Sequence, residues 1–176
     1  MLVPVLQIVG YSNSGKTTIL SSVIELLVKE GYSVAAIKSA RAHSFQKGNK
    51  DSDRFIRAGA GSVSVVFDNG VQMFVPRNMG VDLIIKILYV TSEPDIIFLE
   101  GFKRLEYDKI LVWSDDIRKN LSRFNLINLK AIYLWNKEET IKNIPKRLIN
   151  RGVPIISSVQ ELLEIVKKNY LGRKNG

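Results

Sequence analysis

The stretch GYSNSGKTT, residues 10–18, decides the fold. It lies between an apolar run, VPVLQIV, and an amphipathic stretch, ILSSVIELLVKEGY, and so occupies the turn from a buried strand into a helix. Gly10, Gly15, Lys16 and Thr17 satisfy the spacing GxxxxGK[ST] in the context this spacing requires to hold phosphates. Glycines let the backbone turn back so that successive N–H groups from residue 13 to residue 18 point into one concavity, toward which a helix N-terminus adds roughly half a positive charge. Lys16 would bring a flexible point charge to the β- and γ-phosphates, and the Thr17 hydroxyl would ligate Mg²⁺. The competing reading is an incidental glycine-rich turn with Ser14 capping the helix.

A loop of this kind needs a second acidic residue near the metal, normally at the C-terminal end of a parallel strand beside the first. DIIFLEG supplies one: Asp95 starts the run and Glu100 ends it, so Glu100 emerges at the same sheet edge as residues 10–18 and Asp95 at the opposite one. Glu100 is the expected metal partner, against the alternative of a solvated strand-end carboxylate. Gly101 follows it, and its backbone N–H is expected to approach a γ-phosphate.

Short β-rich runs alternate with helical patterns along the chain. VPVLQIV, SVAAIK, SVSVVF, VQMFV, DIIFLE, KILVW, AIYLW and PIIS read as strands. TTILSSVIELLVKEG, SDRFIRAGA, MGVDLIIKILYVTS, DIRKNLSRFN, ETIKNIPKRLINRG and SVQELLEIVKKNYLG read as helices. The alternation predicts an α/β, P-loop NTPase-like fold, a mainly parallel sheet with helices on both faces. Asp68, Asn69 and Gly70 between two β-rich runs add at least one antiparallel hairpin. With 176 residues, one domain over 1–176 with one core is expected.

Composition narrows the chemistry. Lys+Arg 26 against Asp+Glu 17 gives a net charge of +9, which suits anionic partners without choosing among them. Cysteine is absent, which removes disulfides and thiolate catalysis, and His43 is the single histidine, so any metal should be a hard, oxygen-bound cation. The basic residues are scattered rather than interleaved with aromatics along a strand, so no nucleic acid is expected as partner. Lys86 interrupts the best apolar run, VDLIIKILYV, and MLVPVLQIVG has no basic leader region; no membrane association is expected, and a cytoplasmic location is.

Other segments read two ways. In KDSDRFIRAGA, residues 50–60, Asp51 fits a helix cap with Ser52 and Asp53 in the first turn; it also fits a metal-shell or water-positioning carboxylate, with Lys50, Arg54 or Arg57 meeting a phosphate. The polar loop of residues 39–50 holds Arg41, His43 and Lys47 and is long enough to be functional. His43 fits a solvated loop residue or a substrate contact. WNKEE, residues 135–139, resembles the guanine-reading NKxD signature with Glu139 in place of Asp, but the extra methylene of Glu139 would misplace a carboxylate that must form a planar pair, and the reading of Asn136 and Glu139 as a capping box is preferred.

Taken together, IVGYSNSGKTT, the IK at residues 37–38 leading into a His-containing loop, KDSDRFIRAGA, and LEGFK at residues 99–103 resemble the molybdopterin-guanine dinucleotide biosynthesis protein B family, MobB. Order and approximate spacing agree over residues 2–104; the final third matches only in its α/β rhythm. The resemblance implies a GTP-binding P-loop protein, usually a homodimer with weak Mg²⁺-dependent GTP hydrolysis, that assists a MobA-like guanylyltransferase partner in attaching GMP to molybdopterin. Molybdopterin, or the molybdenum cofactor itself, is a further partner to consider. Residue by residue, it assigns Gly10, Asn13, Ser14, Gly15, Lys16, Thr17 and Thr18 to the phosphates and Mg²⁺ and Glu100 with Gly101 to the second acidic motif, and it places Asp51 near the site. Lys16, Asp51 and Glu100 would then carry the slow hydrolysis. The chain departs from the family pattern at Ser39, where the family has His, and at SFQKGNKDS, which lacks the usual acidic residues and inserts Asn49. A P-loop kinase for a small phosphorylated metabolite, with Arg41, Lys47, Arg54 and Arg57 facing the acceptor, is the alternative function.

Overall fold

A computed structural model describes residues 3–40, 50–77, 79–114, 116–117, 120–135 and 141–172. In chain order its main elements are β1 (Val5–Val9), α1 (Lys16–Lys29), β2 (Val34–Lys38), α2 (Lys50–Arg57), β3 (Val63–Phe67), β4 (Gly70–Phe74) and α3 (Val81–Ser92). There follow β5 (Ile96–Glu100), β6 (Asp108–Val112), β7 (Leu129–Tyr133), α4 (Lys146–Ile149), β8 (Ile155–Ile156) and α5 (Val159–Tyr170). The chain divides into two compact units, Met1–Ser39 with Ile84–Gly176, and Ala40–Leu83.

The first unit holds a six-stranded sheet in the order β2-β5-β1-β6-β7-β8, with every pairing parallel. All five residues of β1 and of β5 are buried, as expected for parallel strands covered on both faces. Because side chains alternate along a strand, Leu6, Ile8, Ile96, Phe98 and Ile110 meet Ile19, Val23 and Leu27 of α1 and Leu162 and Val166 of α5 on one face. Val9, Leu111 and Ile132 meet Trp113, Phe124, Ile144 and Leu148 on the other. Each such side chain contributes about 1.5–3 kcal/mol on burial, enough for four of them to fix the axis, and hence the N-terminus, of α1. Ser158 starts α5 with a capping box, its hydroxyl accepting from the Glu161 N–H at 3.1 Å while the Glu161 carboxylate accepts from the Ser158 N–H at 3.0 Å.

One expected helix is interrupted where its pattern is continuous. ETIKNIPKRLINRG is split by Pro145, which has no N–H to donate, into a 3₁₀ turn at Ile141–Asn143 and the short α4. In DIRKNLSRFN the described residues include helical residues 116–117 and a 3₁₀ turn at Leu121–Arg123, and residues 115, 118 and 119 lie outside the described ones.

In the second unit β3 and β4 pair antiparallel, closing at Phe67 opposite Gly70, so Asp68 and Asn69 form the expected two-residue turn. Val63, Val65 and Phe74 line a small pocket with Ile56 of α2. Opposite that face, Val66, Val71 and Met73 are exposed, Val66 by 76%.

Candidate functional site

β1 delivers the chain to the loop of residues 10–14 at the carboxyl edge of the sheet, and α1 departs from it at Lys16. Two glycines are required there by contact. A Cβ on Gly10 would stand 2.7 Å from Ser14 Oγ and 2.9 Å from the Val112 carbonyl. One on Gly15 would stand 2.3 Å from the Trp135 ring, and Gly15 has a φ of +81°. Asn13, at φ 60°, is the other residue that turns the loop left-handed. Gly15 is also the N-cap of α1, and no side chain caps that helix, so the reading of Ser14 as an ordinary cap has no counterpart. Instead Ser14 is buried, its N–H donates to the Tyr11 carbonyl at 3.3 Å, and its hydroxyl lies 3.5 Å from Lys16 Nζ. Lys16 also donates to the Tyr11 carbonyl, so its ammonium lies over the loop it serves. With no acidic residue in its first turn, α1 keeps its N-terminal field for an anion. Thr18, exposed, follows in that turn.

Register places the acidic partner. Glu100 pairs with Ile8 of β1 on one side and with Lys38 of β2 on the other. It shares the α1 face with Ile96 and Phe98, which brings its carboxylate under the first turn of that helix. The Thr17 hydroxyl donates to it, 2.9 and 3.0 Å from its two oxygens, and Lys38 Nζ stands 3.0 Å from Thr17 Oγ1 and 3.1 Å from Glu100 Oε1. Glu100 is only 8% exposed, so it is a carboxylate held away from water with a cation beside it. Hydroxyl and carboxylate oxygens are the donors a hard divalent cation takes, and the ammonium between them shows that the pocket accepts positive charge. Among the described residues no three His, Asp or Glu side chains converge, so a cation here would complete its shell from phosphate oxygens and water.

Gly101 plays a different part from the one expected. Its N–H donates to the Ile8 carbonyl at 3.0 Å and is thus committed to the sheet rather than offered to a phosphate. Glycine is needed because φ is +93° and a Cβ would lie 3.0 Å from that of Ser39. The loop conformation is set by Gln7, a fully buried amide in the middle of β1 that donates to the carbonyls of Gly101 and Phe102. Gln7 and Trp135 were not singled out by the sequence. A lone polar residue inside the otherwise apolar VPVLQIV was the available signal for the first, and the tryptophan ending AIYLW for the second. The indole N–H of Trp135 donates to the Ser14 carbonyl at 2.8 Å, and its ring meets Tyr133 edge-on at 5.5 Å. Lys103 sits over the rings of Tyr11, at 4.2 Å, and Phe124, at 4.7 Å, and steadies the far side of the loop.

Asp51 belongs to the second unit, exposed in the first turn of α2, where Arg54 approaches it to 3.7 Å. That pairing accounts for one of the two basic residues that the kinase reading assigned to an acceptor in this helix. Arg41, His43, Lys47, the side chain of Lys50, and Asn136 and Glu139 of the NKEE segment lie outside the described residues. No described helix is long and apolar enough to cross a membrane.

A family model, molybdopterin guanine dinucleotide synthesis protein B (MobB), matches residues 5–134. The chain is 31% identical over 156 residues to a probable molybdopterin-guanine dinucleotide biosynthesis adapter protein of Bacillus subtilis, covering 86% of this chain and 84% of that one. It is 32% identical over 123 residues to the corresponding adapter protein of Haemophilus influenzae, covering 68% of each. Among solved structures, Bacillus subtilis MobB superposes with a TM-score of 0.76 at 23% identity, over 97% of this chain and 99% of that one. The hydrogenase maturation factor HypB of Archaeoglobus fulgidus shares the fold at a TM-score of 0.56 and 16% identity, over 95% and 90% of the two chains.

Proposed function

This chain belongs to the molybdopterin guanine dinucleotide synthesis protein B family, and from that premise we propose that it is a GTP-binding adapter in the assembly of molybdopterin guanine dinucleotide. The observation that carries the nucleotide half of the proposal is the Thr17 hydroxyl set on the Glu100 carboxylate at the mouth of the GxxxxGKT loop. Gly10, Asn13, Ser14, Gly15 and Thr18 shape and line the phosphate cradle, and Lys16 supplies its mobile charge. Thr17 and Glu100 would hold Mg²⁺, which when bound neutralises charge on the phosphate oxygens. Gly101 keeps Glu100 in place rather than touching phosphate.

Hydrolysis is expected to be slow, well below the ~1–100 s⁻¹ of kinases, because among the described residues no cluster of three His, Asp or Glu side chains gathers at Thr17 and Glu100. The choice of GTP over ATP rests on the family likeness, as does assistance to a MobA-like guanylyltransferase. Self-association as a homodimer likewise rests on the family likeness. The test is capture of a guanylyltransferase partner by the purified protein with and without GTP. The reading expects capture to strengthen with GTP, and equal recovery with GTP, ATP or neither would contradict a nucleotide-dependent adapter.

A further inference from the structure

Lys38 is the last residue of β2 and the register partner of Glu100, the last residue of β5. In parallel strands such partners project from the same face, so the ammonium and the carboxylate meet above the sheet edge, where Thr17 enters from α1. The result is a closed triangle, with Lys38 Nζ 3.0 Å from Thr17 Oγ1 and 3.1 Å from Glu100 Oε1, and Thr17 Oγ1 2.9 Å from that same oxygen. The two oxygen groups touching this ammonium are the two that the nucleotide reading gives to Mg²⁺. A monovalent and a divalent cation cannot share them, since both would lie within contact distance of one carboxylate and repel strongly at that range. One of them has to move. Glu100 is held by its strand and its burial, and Thr17 by its helix, whereas the Lys38 side chain is 57% exposed on a four-carbon stem.

We propose that Lys38 is a tethered counter-ion that exchanges with Mg²⁺ between Thr17 and Glu100, and that once displaced it contacts the terminal phosphate of a nucleoside triphosphate. The inference rests on the P-loop reading of the site. In the conformation described, Lys38 offsets the charge of a buried carboxylate that would otherwise be costly to keep ionised. Mg²⁺ alone then competes against a permanently attached cation and binds poorly. Mg²⁺ arriving with a triphosphate binds well, because the released ammonium finds a new anionic partner. A diphosphate lacks that terminal phosphate, so Lys38 would discriminate triphosphate from diphosphate and tie metal binding to that choice.

The experiment uses the full chain and three variants. Mn²⁺ binding without nucleotide is followed by electron paramagnetic resonance, and GTP and GDP affinities are measured at saturating Mg²⁺. Lys38→Met, which keeps the stem and removes the charge, should bind Mn²⁺ alone several-fold more tightly and lose on the order of tenfold in its preference for GTP over GDP. Lys38→Arg should restore that preference, and Lys38→Gln serves if the methionine variant folds poorly. If wild type binds Mg²⁺ and GTP but the uncharged variant matches it in both Mn²⁺ affinity and GTP:GDP ratio, Lys38 is only a structural partner of Glu100 and the inference falls alone. If wild type shows no Mg²⁺-dependent nucleotide binding, the P-loop reading falls with it.

Discussion

Trp135 closes over Gly15: its indole N–H reaches the Ser14 carbonyl at 2.8 Å, and its ring fills the space a Cβ on Gly15 would need. Trp135, two residues past Tyr133, the last of β7, therefore braces the loop that follows β1. The chain has two tryptophans, and Trp113 is buried on the opposite face of the sheet. Nucleotide binding should change the emission of Trp135, and Trp135→Phe should abolish that change while weakening binding by about 1 kcal/mol through the lost hydrogen bond. An emission change that survives in Trp135→Phe would place the response elsewhere.

Gly15→Ala tests the same relationship from the other side. The substitution meets both a positive φ and the ring, and should cost about 1–3 kcal/mol of stability. Adding Trp135→Ala should recover the part due to the clash and leave the part due to φ, a non-additivity readable in a thermal double-mutant cycle. Strict additivity would mean that the two do not touch in solution.

Lys16→Ala removes the charge that lies over the loop. It should weaken nucleotide binding by ~1.5–3 kcal/mol, roughly one to two orders of magnitude in Kd, with little effect on melting. Calorimetric titration checks this, and unchanged affinity would contradict the phosphate role.

Glu100→Gln keeps an acceptor for the Thr17 hydroxyl but removes the charge. The Mg²⁺ dependence of nucleotide affinity should collapse while the folded state loses less than about 1 kcal/mol, since the carboxamide preserves shape. A variant that melts early and keeps its metal response would make Glu100 a structural carboxylate.

Tyr170 gives a prediction in pH. Burial first, and then its 2.9 Å hydrogen bond to Asp108, push its phenol above the ordinary tyrosine range. A group whose folded pKa is raised contributes stability that is complete below its unfolded value and is lost as pH rises toward the folded one. Tyr170→Phe should therefore be less stable than wild type by about 1 kcal/mol at pH ~8, and the difference should shrink above pH ~10 as the unfolded phenol ionises. Urea titrations of both proteins across that range measure it, and a constant gap would contradict the assignment.

Much of this was readable because the decisive signals are local. GxxxxGKT needs nothing beyond its neighbours to specify strand, turn and helix, and the order of DIIFLE, with Asp95 first and Glu100 last, puts Glu100 at the carboxyl end of β5. Asp68-Asn69-Gly70 specified its hairpin for the same reason. What could not be read depends on register between distant segments. Nothing near Lys38 in sequence says that it opposes Glu100, since that follows from β2 pairing with β5 rather than with β1. The role of Gln7 likewise depends on distant residues, the carbonyls of Gly101 and Phe102 that its buried amide donates to. Gly101 itself misled, because its glycine is explained by φ and by Ser39 rather than by a phosphate. Pro145 broke a helix whose apolar spacing was otherwise sound.

The central claim is that residues 10–18 and Glu100 form one Mg²⁺-dependent nucleotide site. Isothermal titration of the purified chain with GTP, with Mg²⁺ and then with a chelator, tests it most directly. The account predicts saturable binding of one GTP per chain that weakens at least tenfold when Mg²⁺ is removed, and more weakly still for ATP in either condition. Heat-silent titrations confirmed by an independent binding assay, or an affinity for GTP that is indifferent to Mg²⁺, would contradict it.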